Sequence, residues 1–224
     1  MQPRHYIAAL LAALSCTAVC QATTFTYTPN PANLGDLDHH HIYTWRLDNL
    51  TMNPAQITSA SLTFNNIYNW NNTANVLHLH LLDTAINAGV ASFVDDPSNS
   101  SPVTDLTDDF ISTRYHNSPG WLVAAGTADT FLADKSFGTS PVTWTYNFTG
   151  AQLLSLENYI SNGHNIALGF DPDCHFFNSG IQFQICTAPN GVPETGNAAL
   201  LLGLGCIALF GLRQAQQRFA VSRR

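Results

Sequence analysis

Two carboxylates, Asp171 and Asp173, flank Pro172 directly after the alternating run NIALGF (165–170). Proline stiffens the chain between them, so the two acidic side chains leave it in restricted directions. Asp36 and Asp38 bracket Leu37 ahead of another alternating run, and residues two apart share a face when the chain is extended. Hard cations such as calcium take about six to eight oxygen ligands, which loop carboxylates and nearby backbone carbonyls supply. Asp171 and Asp173, joined by Asp36 or Asp38, therefore form a candidate structural calcium site. An Asx-type turn, in which Asp caps its own backbone, accounts for the same residues without a metal.

Histidine would suit a transition metal, but a zinc site needs about four ligands in tetrahedral reach. His39, His40 and His41 are consecutive, and consecutive side chains of a strand cannot all point one way. His78 and His80 share one face of VLHLHLL (76–82), predicted to face solvent while Leu77, Leu79 and Leu81 face inward. Cys174 beside His175 has the composition of a thiol–imidazole dyad, yet such dyads are built by the fold and not by adjacency. Glu157 is predicted to lie on a helix in solvent, and Asp108-Asp109 reads as surface charge in a polar loop. No GxSxG, HExxH or P-loop occurs, so the reading is of a non-enzyme. A secreted hydrolase acting on polysaccharide is the rival class, and it would need two carboxylates converging in a cleft. Trp70 and Trp121 stand in the polar or Gly-containing stretches NWNN and SPGW and are candidates for stacking on sugar rings. The alternative is that all four tryptophans pack in or around the core.

The elements that must position these residues are strands. TFTYT (24–28), HIYTWRLD (41–48), SASLTFNNI (59–67), VLHLHLL, VTWTYNF (142–148), NIALGF and GIQFQI (180–185) alternate, and Asn, Asp, Gly and Pro clusters bound them. GAQLLSLENYISNG (150–163) instead places Leu153, Leu156, Tyr159 and Ile160 on one side at helical spacing. Residues 83–141 are less regular and predict loops mixed with short strands. The expectation is a single antiparallel β-sandwich, jelly-roll-like, with one short helix across one end.

The 224 residues divide by composition into 1–22, 23–190 and 191–224. The first segment has one cation, Arg4, then an apolar stretch and small residues to Ala22, the order of a secretory signal peptide. The middle segment holds three cations (Arg46, Arg114, Lys135) against thirteen Asp and one Glu. Such a body repels nucleic acid phosphates and anionic lipids and is compatible with metal cations or neutral sugars. Its two cysteines, Cys174 and Cys186, predict one disulfide in an exported domain, with two buried thiols as the alternative.

The last segment opens on Val192, Pro193 and Glu194, continues through an apolar, Gly-dotted run at 198–212, and ends with Arg213, Arg218, Arg223 and Arg224. The run approaches the lower length for a transmembrane helix, and the arginines would hold its far end in the cytoplasm. This three-part order resembles the PEP-CTERM sorting signal of exopolysaccharide-producing Gram-negative bacteria. The resemblance implies recognition of Pro193 and Glu194 by an exosortase, a membrane-embedded Cys peptidase. It further implies a membrane anchor before processing, then release or attachment at the cell surface or in the extracellular matrix. Many members have Pro where Thr195 stands, so Val-Pro-Glu-Thr-Gly is also similar to a sortase signal, with cleavage after Thr195. The Gly-Leu-Gly run behind the motif favours the exosortase reading. LGDLDHHHIYTW (34–45) and DPDCHFFNSGI (171–181) resemble segments of exported proteins with this tail, a resemblance that implies a β-sandwich and no activity.

Overall fold

The computed structural model describes residues 22–95, 107–112 and 114–188. Residues 1–21 of the expected signal peptide (1–22), and the sorting segment with Val192, Pro193 and Glu194, lie outside the described residues. Among the described residues no helix is long and apolar enough to cross a membrane. Ala22–Ala188 forms one compact unit, mainly β, and the described residues of both its hydrophobic clusters lie within those bounds.

Alternation in the sequence becomes two antiparallel sheets. The first runs β1 (Thr23–Tyr27), β10 (Gly180–Thr187), β3 (Ile57–Asn69), β7 (Val142–Asn147), and the short β9 (Phe176–Phe177) pairs with the far end of β3. The second runs β5 (Gly89–Val94), β2 (His41–Leu47), β8 (Ile166–Pro172), β4 (Leu77–Leu82), β6 (Asp129–Lys135). All seven predicted runs are strands; β5 and β6 arise within the irregular stretch. Side chains of period two from the inner faces meet in one core. Leu62, Phe64, Phe183 and Ile185 come from the first sheet; Trp45, Leu77, Leu79, Leu81, Leu168 and Phe170 come from the second. Phe64 and Phe170 touch edge to face across the sheets, with ring centroids 6.1 Å apart. Each such buried side chain contributes about 2 kcal/mol of transfer free energy before conformational entropy is counted.

The helix α1 (Gly150–Gly163) starts at a reciprocal cap. Thr149 accepts from the Gln152 N–H, and the Gln152 side chain accepts from the Thr149 N–H. Leu156, Tyr159 and Ile160 are buried as their spacing predicted. The helix lies against β3 of one sheet and β4, β6 and β8 of the other, so it spans both layers. Gln152 is buried as well, and its amide donates to the carbonyls of Phe131 and Leu132.

The outer face of the second sheet is not open to solvent, and this corrects three expectations. Described residues between β5 and β6 lie over it, placing Phe110, Trp121 and Leu122 on Ile42, Leu82 and Ala167 as a second small core. β4 is consequently buried on both faces: His78 is 6% and His80 0% exposed, neither facing solvent. Trp121, expected as an exposed stacking surface, is 5% exposed among Phe93, Phe110 and Tyr115. Asp108 and Asp109 belong to this cover, are buried against the sheet and are not surface charge. Gly169 makes the close approach possible: a Cβ there would lie 2.8 Å from the Phe110 ring and 3.1 Å from His80 Cβ.

Candidate functional site

The outer face of β4 carries a buried chain of imidazoles and carboxylates. Strand geometry puts His78 and His80 on one side, and pairing with β6 and β8 brings Asp134 and Asp171 opposite His78. His80 Nδ1 lies 2.9 and 3.0 Å from the two Asp129 oxygens, and Nε2 lies 2.8 Å from Asp108 Oδ2. Nitrogens that both face carboxylates carry protons, so the ring is an imidazolium. Burial alone pulls its pKa down, but hydrogen bonds and charge from Asp108 and Asp129 outweigh this and raise it to about 9. In return, His80 outweighs the effect of burial on Asp108 and holds that carboxyl below its ordinary value.

His78 repeats the arrangement. Nδ1 is 2.6 Å from Asp134 Oδ1, and Nε2 forms an ion pair with Asp173 at 3.3 Å that falls short of hydrogen-bond geometry. Burial lowers its pKa, whereas Asp173 and Asp134 raise it to about 9 overall. Asp171 behaves oppositely. Burial pushes its carboxyl up to about 8 despite a 2.7 Å hydrogen bond from the Asp109 N–H.

These contacts decide what the network can do. Each imidazole nitrogen of His78 and His80 is held against a carboxylate, which leaves no lone pair for a general base or a metal. What the network does is fasten the cover: Asp108 reaches His80, and Asp109 reaches Asp171. The adjacent cleft, lined by Leu82, Phe110, His116, Trp121 and Asp129 among others, has a volume of 60 Å³, room for a few waters and not for a sugar ring.

The residues proposed for calcium are spread over separate contacts. Asp173 accepts from the Val76 N–H at 3.2 Å, besides pairing with His78. Asp36 accepts from the Asn33 amide at 2.7 Å, and Asp38 accepts from the His40 N–H at 3.3 Å, an Asx-type contact. Among the described residues, the group of three His, Cys, Asp or Glu ligand atoms within 4.8 Å of one another is Asp38, His39 and His40. Asp171 and Asp173 do not join it.

The expected disulfide is absent: Cys174 and Cys186 are free thiols. Register explains why. Cys186 pairs with Ser59 near the start of β3, whereas Cys174 accepts a 2.8 Å hydrogen bond from the indole of Trp70, just past its end. Eleven residue steps along the strand separate Ser59 from Trp70, which is roughly 35 Å at the rise of a β-strand, far beyond bridging distance. Trp70 itself is 57% exposed, as its polar setting predicted, beside exposed Asn72 and Thr73. Trp45 is in the core and Trp144 packs against it.

Sequence reasoning missed the His–Asp network, although the doubled Asp108-Asp109 and the acids at both ends of β6 were visible signals. Compared with known protein families and with curated proteins, the chain matches no family model and no curated sequence.

Proposed function

We propose that this is an exported protein of a Gram-negative bacterium that an exosortase sorts to the cell surface or exopolysaccharide matrix. There its β body serves as a non-catalytic binding or structural module. The observation that carries the export reading is the three-part order of Val192-Pro193-Glu194, an apolar run and a closing arginine cluster. The membrane holds the chain through that run before processing. The non-catalytic reading draws support from the buried titratable groups, which are paired with one another and covered. A polysaccharide is the favoured ligand class, because an acidic body suits neutral sugars and exposed Trp70 offers an aromatic face.

Thr195-Gly196 keeps sortase-type wall anchoring as a specific second reading. Fractionation of cells expressing the chain with and without its last 33 residues tests the proposal, with mass spectrometry of both mature termini. Loss of surface retention on truncation is expected. A mature end at Thr195 joined to peptidoglycan would replace the exosortase by a sortase, and an uncleaved cytosolic chain would end both readings.

A further inference from the structure

The three residues Asp38, His39 and His40 stand in a turn, not a strand, and the turn removes the objection that neighbouring histidines diverge. The chain enters it through Leu34, Gly35, Asp36 and Leu37, all at positive φ (53°, 71°, 66° and 47°). Three of these are not glycine, a conformation that costs L-residues free energy and persists only where packing holds it. Leu34 and Leu37, 1% and 0% exposed, are the anchors. The Asp38 N–H donates to the Tyr43 hydroxyl at 2.9 Å, and the His41 N–H closes the turn on the Asp38 carbonyl at 3.1 Å.

Within this frame His39 Nδ1 lies 3.2 Å from Asp38 Oδ1, and the His39 and His40 rings have centroids 3.8 Å apart. Ligands about 2.0–2.1 Å from a tetrahedral zinc ion are separated from one another by about 3.3 Å. The Asp38–His39 spacing already matches one edge of that tetrahedron. His175, just before β9, lies outside the 4.8 Å group but next to it. The His175 ring lies 6.5 Å from that of His39, and its Nε2 is shielded from solvent without a hydrogen-bond partner. A buried ring nitrogen left unpaired carries a desolvation cost that a ligand would remove. The neighbouring thiol of Cys174 is engaged by the Trp70 indole, so the available donors are nitrogen and oxygen.

We propose that Asp38, His39, His40 and His175 bind one divalent first-row transition metal, with zinc as the type. Imidazole donors select this class, whereas calcium takes oxygen ligands throughout. The metal would pin the turn before β2 to the β8–β9 connection, independently of export or sugar binding. The excess of carboxylates in the body favours a cation.

The test uses the full chain, stripped of metal with a chelator in mild detergent and titrated with zinc against a chromophoric competitor. One equivalent should bind, and cobalt should give the visible bands of a four-coordinate ion without a thiolate charge-transfer band. His39→Asn and His40→Gln should each weaken zinc by about 100-fold or more, since even outer contacts to a metal are worth about 10–100-fold. His175→Gln should weaken it less, by about 10-fold, and His164→Asn, at the helix end, should change nothing. Metal-free variants that melt with the wild type show that the loss is of ligands and not of the fold. If a ligand variant fails to fold, X-ray absorption of the zinc-loaded wild type decides, by imidazole scattering in its first shell. The proposal is overturned by the absence of stoichiometric binding, by unchanged affinity in His39→Asn and His40→Gln, or by a sulfur-containing or all-oxygen shell.

Discussion

Asp108→Asn probes the fastening of the cover to the second sheet. The variant keeps the shape of the side chain and removes the charge that faces His80 Nε2 at 2.8 Å. The magnitude follows from linkage. An unfolded histidine titrates near 6.5 and His80 in the fold near 9, a difference worth about 3 kcal/mol. Because the folded value is the higher one, this stabilisation is complete below about pH 6.5 and is lost as pH rises through 9. The Asp108 carboxyl is displaced downward, so its part is present above about pH 4 and lost in stronger acid. The pair therefore contributes most between roughly pH 4 and 6.5. Removing one partner of a buried pair costs about 3–5 kcal/mol, reduced here because Asp129 still holds the other nitrogen. We expect Asp108→Asn to cost about 2–3 kcal/mol at pH 6 and clearly less at pH 9.5. Urea unfolding of residues 22–188, followed by tryptophan fluorescence at both pH values, measures this. A loss below 0.5 kcal/mol at pH 6, or one that does not shrink in alkali, would refute the assignment of His80 as a clamped imidazolium.

Other expectations follow from single contacts. Gly169→Ala should cost about 1–3 kcal/mol, because the new methyl meets the Phe110 ring at 2.8 Å; combining it with Phe110→Leu should recover part of the loss in a double-mutant cycle of urea unfolding. Thiol titration of the unfolded body, purified without reductant, should count two free groups from Cys174 and Cys186, and a count of zero would contradict the free thiols. Trp70→Ala should abolish any signal of the body on a glycan array while leaving its melting temperature within about 2 °C, since the ring is 57% exposed; a wild-type body that binds no glycan would remove the polysaccharide reading.

What the residues determine locally was legible. Period-two alternation marks seven strands, the 3.6-period run over 150–163 marks α1, and these patterns need no knowledge of distant contacts. The polar setting of Trp70 likewise predicted its exposure. What the tertiary structure alone decided is which face of the second sheet meets water. His78 and His80 alternate with leucine as a solvent-facing row would, but the segment carrying Phe110 and Trp121 closes over them, and the acids that neutralise them come from positions 108, 129, 134 and 173. The acids were visible in the sequence, but their spacing does not say that they meet these histidines, that Cys174 and Cys186 lie at opposite ends of β3, or that a left-handed turn gathers Asp38, His39 and His40. Alternation tells which residues share a face; burial of that face depends on what the rest of the chain lays across it, and that is a long-range packing event.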